Sequence, residues 1–209
     1  MACALFAVSP LSAGADASRG DVTGQLTSSR ADTRAKAAMD VAEHRATADV
    51  SALTAASQAE TRPETRVRML MAAFEVDSAR ATPFLVAALR RDPSPLVRAV
   101  AAQVLTRVSP NDAVRKAFID GLAKDRDSDV RRACATALGY HHTPDAAKAL
   151  SDAAADADPE VRGRVGAALL RHPRSAATDR VLDRLEGDRD PKVSAHVRTK
   201  RRGGSAASR

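Results

Sequence analysis

This sequence contains few side chains that could act in catalysis or bind a metal ion, and most of them are isolated from one another along the chain. Of five histidines, His141 and His142 are adjacent and His172 follows 31 residues after His141. They form the one metal-like constellation in the sequence, but a metal ion needs several ligands converging within about 2.0 to 2.3 Å. A histidine near the end of a helix more often interacts with the partial negative charge of the helix C-terminus. We therefore predict no metal site.

Catalytic motifs are also missing from the sequence. It contains no G-x-S-x-G, no Walker loop, no H-E-x-x-H and no paired-cysteine motif. The two cysteines, Cys3 and Cys134, are too few for a disulfide framework, and Cys134 is interpreted as a small core residue. The sequence predicts a protein that is not an enzyme and needs no cofactor.

Positive charge is concentrated at the C-terminal end. The formal net charge is +7, and the last twelve residues, RTKRRGGSAASR, contribute +5 of it. Because blocks of like charge are usually disordered, residues 201–209 are predicted to be a basic disordered tail. Clustered cations bind phosphates by counterion release. Binding of nucleic acid or an anionic surface through Arg198, Lys200, Arg201 and Arg202 is therefore an alternative function, although an aromatic content of 2% leaves little for base stacking.

The first residues differ in composition from the rest. Residues 1–17 are apolar and rich in alanine, and Ala13, Ala15 and Ala17 resemble a signal-peptidase site, but a positively charged start is missing. We predict a signal-peptide remnant or a disordered leader, which favours an extracytoplasmic, periplasmic location over the cytoplasm. No later stretch reaches the 18 apolar residues that a membrane-spanning helix needs, so we predict no transmembrane segment.

The remaining sequence is organised by one recurring segment, DPSPLVRAVAAQVL from Asp92, with related copies before and after it. In each copy an apolar or β-branched residue precedes an arginine or its equivalent. These repeat anchors are Thr33, Thr65, Val97, Val130, Val161 and Val193, spaced 32, 32, 33, 31 and 32 residues apart. So regular a period indicates a repeat array, in which each unit contacts only its neighbours.

Each repeat is predicted to contain two antiparallel helices, A and B. In helix A the apolar positions lie twelve and eight residues before the anchor, as in Phe118 with Leu122 and Ala149 with Ala153. Helix B is predicted to begin after an N-cap three residues before the anchor. The predicted caps are Ser94, Asp127, Asp158 and Asp190. Proline at the first helical position supports the same starts, because its nitrogen needs no hydrogen bond there.

The recurring D-x-[DS]-[PD]-x-V-R-x-x-A, followed by A-L and sometimes Gly139, resembles HEAT repeats of the short type, similar to those of phycobilisome-lyase-like proteins. The resemblance covers residues 18–200. It implies an all-α, right-handed α-solenoid (superhelix) of about six two-helix repeats. Since HEAT-like arrays also occur in DNA glycosylases and bilin lyases, a lyase-type enzyme is the third candidate function.

The resemblance also implies a structural role for the acidic residue and the arginine that stand six residues apart. In HEAT repeats the matching pair forms a ladder along the inter-helix turns. The residues assigned to it are Glu60 and Arg66, Asp92 and Arg98, Asp125 and Arg131, and Asp156 and Arg162. Ser28 and Ser194 interrupt the pattern, so the ladder is expected to be incomplete at both ends. The alternative is an anion-binding stripe of arginines, which the neighbouring acids would neutralise.

The exposed face of the B helices is the candidate binding surface, because in this family it lines the inner curve of the solenoid. Arginine and tyrosine are enriched at interface anchors. The hypothesis places a concave patch for an acidic segment of a partner protein at Arg107, Arg132, Tyr140, Arg164 and Arg171; the alternative is an ordinary solvated face. The function predicted from the sequence is a non-catalytic scaffold or adaptor that binds a partner protein there.

Overall fold

The computed structural model describes residues 22, 24–44 and 50–206, and these form helices and turns without any strand. The predicted leader, residues 1–17, lies outside the described residues. The chain divides into two compact units, Met1–Ser78 and Ala79–Arg209. Within the described ranges, no helix is both long enough and apolar enough to cross a membrane.

The described part of the first unit contains three long helices. They are α1 (Ala31–His44), α2 (Val50–Ala59) and α3 (Pro63–Val76), and a short helical stretch at residues 24–26 precedes α1. The B helix α3 packs against its own A helix, α2, and against the preceding B helix, α1. Leu53 and Met69 are fully buried, so in the described part of this unit α1 stacks against the hairpin formed by α2 and α3.

The second unit contains four further repeats. Its A helices are α4 (Ser78–Arg91), α6 (Asp112–Lys124), α8 (Pro144–Asp152) and α10 (Ala176–Glu186). Its B helices are α5 (Pro95–Leu105), α7 (Ser128–Leu138), α9 (Pro159–Leu169) and α11 (Pro191–Ala206). The B helices pack in succession, and α6, α8 and α10 each pack against the B helix that follows. This is the arrangement expected of an α-solenoid, and the described residues contain all six predicted B helices.

Small side chains allow these helices to lie close together. A Cβ atom added to Gly121 of α6 would lie 2.6 Å from Sγ of Cys134 in α7, and one added to Gly166 of α9 would lie 2.6 Å from Cγ2 of Val197 in α11. A Cβ atom does not approach another heavy atom that closely, so a larger residue at either position would force its neighbour to move. Glycine at these positions therefore allows the close approach of the neighbouring helices.

The sequence signals for the start of helix B are mostly confirmed. Proline opens α3, α5, α9 and α11. Asp127 caps α7 by accepting hydrogen bonds from two backbone amides, Asp158 caps α9 in the same way, and Asp190 accepts one from Lys192. Ser94 is the N-cap residue of α5, as predicted, but its side chain does not make the expected capping hydrogen bond.

The inward face of α8 differs from the prediction by one residue. Ala149 and Ala153 are only partly buried, whereas Leu150 and Ala154 are buried. The cause is the shorter repeat: α8 has only nine residues and passes into a 3-10 turn at Ala153–Ala155. The anchors on either side of α8 are 31 residues apart, whereas most anchors are 32 apart. Positions predicted by counting back twelve and eight residues from the anchor of α9 therefore fall one residue before the ones that are buried.

The C-terminal boundary also differs from the prediction. Helix α11 continues to Ala206, so a disordered tail beginning at residue 201 is wrong for its first residues. Arg201 folds back onto α10 and donates hydrogen bonds to Asp183 and Glu186 at 2.6 and 3.0 Å. These ion pairs stabilise the helical conformation at the start of the predicted tail. Residues 207–209 lie outside the described residues.

Candidate functional site

Arginines at equivalent positions connect four of the described B helices to the next repeat. Arg98 at the start of α5 donates two hydrogen bonds to the carboxylate of Asp125, and Arg131 of α7 does the same to Asp156. A third nitrogen of Arg98 donates to the backbone oxygen of Asp92 at 2.9 Å. The arginine thus holds its own turn through a carbonyl group and the following turn through a carboxylate.

We call this set the arginine ladder: Arg34, Arg98, Arg131 and Arg162 with the carboxylates of Glu60, Asp125, Asp156 and Asp188. The sequence assignment omitted Arg34 and Asp188. Asp188 stands five residues before its anchor, like Asp125 and Asp156. This spacing could have identified it from the sequence as a member of the ladder. Within the first unit, Arg66 donates to the backbone oxygens of Glu60 and Thr61.

The carboxyl groups of the ladder are held in the ionised form. The hydrogen bond from Arg162 lowers the pKa of Asp188 below its ordinary value, although burial opposes it. At Asp125 burial by itself would raise the pKa, but the hydrogen bonds from Arg98 and from the Asp127 amide outweigh it, so the pKa is lowered. The pKa is also lowered in the remaining ladder acids, Glu60 and Asp156. Because these charges are paired, the ladder arginines are poorly suited to serve as a free anion-binding stripe.

A groove of about 660 Å³ lies on the exposed face of the B helices in the second unit. One wall is formed by α5 and the residue that follows it: Pro95, Leu96, Ala99, Val100, Gln103 and Thr106. The other wall is formed by α7 and its N-cap, with Asp127, Asp129, Arg132, Ala133 and Thr136, and Arg164 of α9 completes the lining. We call this the B-helix groove. Its volume lies within the range of about 300 to 1,000 Å³ that is typical of ligand pockets.

Two of the five predicted binding residues lie in this groove. Arg132 forms an ion pair of 2.8 Å with Asp129, one turn earlier in α7. Arg164 is exposed and also lines a second depression of about 140 Å³, whose other charged or titratable lining residues are Glu160, Asp190, Lys192 and His196. Arg164 therefore stands where the two depressions meet.

Two further predicted residues contact each other away from the groove lining. The guanidinium carbon of Arg171 lies 5.0 Å from the centre of the Tyr140 ring, a cation–π contact between equivalent positions of successive repeats. Tyr140 nevertheless keeps 54% of its surface exposed. Arg107, the fifth residue, is exposed at the end of α5. The structure thus groups Arg132 with Arg164 and Tyr140 with Arg171, and Arg107 belongs to neither contact.

Three histidines, His141, His142 and His172, lie just after the ends of B helices and pack within the protein. Nε2 of the buried His172 lies 2.9 Å from the backbone oxygen of Leu138, at the end of α7. The ring of His142 packs edge-on against His172, and His141 packs in the same way against Phe118. Burial lowers the pKa of His141 and of His172. The predicted contact with a helix C-terminus is thus present at His172, but that helix belongs to the preceding repeat.

Other reactive groups are also held within the packing. Cys134 is fully buried, and this burial raises the pKa of its thiol far above the ordinary value. Among the described residues, no group of three or more histidine, cysteine or acidic side chains is arranged to hold a metal ion. At the C-terminal end, Arg198 donates to the backbone oxygen of Glu186 at 2.6 Å. Two of the four cations assigned to anion binding, Arg198 and Arg201, thus make contacts within the last repeat.

Comparison with known proteins identifies the repeat type. A model of HEAT repeats matches residues 107–199, and a second, for the single HEAT repeat, matches residues 81–112. No curated protein matches the chain. The likeness to phycobilisome-lyase-like proteins stays a prediction.

Solved structures support the same fold. Two crystal structures of engineered proteins from the Northeast Structural Genomics Consortium are each 21% identical to this chain. The first has a TM-score of 0.54 and covers 89% of this chain and 98% of its own. The second has a TM-score of 0.55 and covers 90% of this chain and 97% of its own. At this identity the likeness shows the fold alone.

Proposed function

The chain belongs to the HEAT-repeat family, and we propose that it is a non-catalytic scaffold that binds a segment of a partner protein in the B-helix groove. The observation that carries the proposal is the groove itself, which combines exposed apolar surface with arginine. Leu96 keeps 45% of its surface exposed there, beside Ala99 and Val100. Exposed apolar surface rimmed by polar residues is typical of protein-binding sites.

The environment of the reactive side chains supports a non-catalytic role. A nucleophile or general base must reach a substrate with the required proton state. Cys134 is buried with a raised pKa, and His172 is buried against a backbone carbonyl. These groups stabilise the repeats where they are. The lyase-type alternative has no comparable support from the arrangement of the side chains.

Photo-crosslinking tests the proposal directly. Benzoylphenylalanine in place of Gln103, which lines the groove, should crosslink to a discrete partner in a lysate of the source organism. The same probe in place of Lys148, an exposed residue of the A helix α8, is the matched control. Mass spectrometry would identify the partner. Equal crosslinking from both positions, or none from either, would count against the groove as the binding face.

The basic C-terminal residues are the alternative binding surface. Arg198, Lys200 and Arg202 are exposed, whereas Arg201 pairs with acids of α10. Binding of nucleic acid through these residues should weaken steeply with added salt, because each phosphate contact releases counterions. Replacing Lys200 and Arg202 by glutamine should abolish such binding while leaving crosslinking at Gln103 intact. Loss of both together would favour the C-terminal residues over the groove.

A further inference from the structure

The two ends of the B-helix groove differ in chemistry. On α5 the lining includes the apolar side chains of Leu96, Ala99 and Val100, and the polar Gln103 follows them along the helix. At the far side the lining ends at Arg164 of α9, two repeats further along the chain. A ligand that fills the groove therefore meets aliphatic surface at one end and a guanidinium group at the other.

The charges between these ends are already engaged within the protein. Asp127 accepts hydrogen bonds from the amides of Asp129 and Val130, and Asp129 pairs with Arg132. By contrast, Arg164 makes no ion pair or side-chain hydrogen bond with any residue in the described part of the chain. Of the charged residues that line the groove, Arg164 is thus the one most readily available to a ligand.

We propose that the groove recognises a short extended segment that carries an aliphatic side chain and a carboxylate, and this rests on the proposed function. The aliphatic side chain lies against Leu96 and Val100, where its burial removes apolar surface from water. The carboxylate is bound by Arg164, whose planar guanidinium can donate two parallel hydrogen bonds to it. Arg164 thereby determines which partner segments are accepted.

The fold also predicts the spacing of these two groups. Packed helices lie about 8–10 Å apart, and α7 separates α5 from α9, so the two anchor regions are about 16–20 Å apart. An extended chain advances about 3.3 Å per residue, and long side chains shorten the span. The aliphatic residue and the acid should therefore be about four to six residues apart in the bound segment.

Selection from a phage-displayed library of random twelve-residue peptides, panned on the full chain, tests this inference. We expect the selected peptides to share an aliphatic residue and an aspartate or glutamate about four to six residues apart. Arg164→Glu should weaken them more than tenfold and should select lysine or arginine in place of the acid. Arg180→Glu, at an exposed position of the A helix α10, is the matched charge reversal and should leave the selected motif unchanged. Leu96→Ser should weaken binding without changing the preferred charge.

The outcomes separate this inference from the proposed function. Selected peptides that compete with crosslinking at Gln103 but lack an acid, or keep it after Arg164→Glu, would overturn the inference and leave the function standing. Failure to select any groove-dependent peptide, with no crosslinking at Gln103, would overturn both. A mixed-sequence single-stranded DNA probe that binds the wild type and is lost in Arg164→Glu, without peptide selection, would assign Arg164 to phosphate binding and also overturn the inference.

Discussion

Arg98 and Asp125 face each other across consecutive repeats, with Nε and one terminal nitrogen of the guanidinium 2.7 and 2.8 Å from the two carboxylate oxygens. They are 27 residues apart in sequence, and the same arrangement recurs at Arg131 with Asp156. The remaining terminal nitrogen of Arg98 donates to the backbone oxygens of Asp92 and Pro93. A single side chain therefore joins three points of the fold.

Replacing Arg98 by lysine should destabilise the protein although the charge is kept. A lysine ammonium group cannot make the paired contact with Asp125 and reach the carbonyl groups as well. We expect the free energy of unfolding, measured in urea, to fall by about 2–3 kcal/mol. Lys148→Ala removes an ion pair between exposed side chains and should change it by less than about 0.5 kcal/mol. Equal effects of the two substitutions would mean that the ladder contributes no more than a surface pair.

Two glycines of α9 should respond to alanine in opposite directions. A Cβ atom at Gly163 would meet nothing within 4 Å, whereas one at Gly166 would lie 2.6 Å from Val197. Gly163→Ala should raise stability by about 0.5–1 kcal/mol because alanine loses less backbone entropy in a helix. Gly166→Ala should lower it by about 1–3 kcal/mol through overpacking. Thermal unfolding followed by circular dichroism would measure both, and destabilisation by Gly163→Ala would contradict the open space beside it.

Acid should weaken the ladder within a defined pH range. The folded pKa of Asp156 is lowered, so its stabilising contribution is fully present above the unfolded value of about 3.9. It is lost as the pH falls through the folded pKa, because the unfolded state then binds more protons. Unfolding free energies measured from pH 5 to 2.5 should therefore decline less steeply in Asp156→Asn, which cannot titrate, than in the wild type. Parallel curves for the two proteins would count against this contribution.

His172 should give a separate pH dependence at higher pH. Burial lowers its pKa and the neighbouring His142 adds to this, while the Leu138 carbonyl opposes it. Because the unfolded state takes up a proton more readily, stability should be complete above the unfolded pKa of about 6.5 and should fall as the pH drops below it. His172→Gln should reduce the slope between pH 7 and 5.5 in urea unfolding experiments. An undiminished slope would assign this pH dependence to another group.

The fold was largely predictable because two independent signals agreed. The 32-residue period gave the number of B helices, and proline and aspartate gave their starts. The inward face of α8 was not predictable from the period, because that repeat is one residue shorter and ends its A helix in a 3-10 turn. Local chain length, rather than composition, decided which alanines became buried.

The candidate site was less predictable because it depends on contacts between helices. Equal repeat positions brought Tyr140 and Arg171 together, as the period implies for neighbouring repeats. The pairing of Arg132 with Asp129 follows from helical spacing. The B-helix groove between α5 and α7 could not be predicted from the sequence, since its width depends on the packing distance between two helices with small side chains.

The ladder has a consequence for how such a protein can be lengthened. The 31 residues 125–155 carry a carboxylate, Asp125, for the repeat before them and a guanidinium, Arg131, for the repeat after them. If this block were duplicated in tandem, the copy of Asp125 would pair with Arg131 of the original block. The copy of Arg131 would pair with Asp156, so neither junction would be left with an uncompensated charge. A whole repeat can therefore be inserted or deleted during evolution while the ion pairs at its two boundaries are kept.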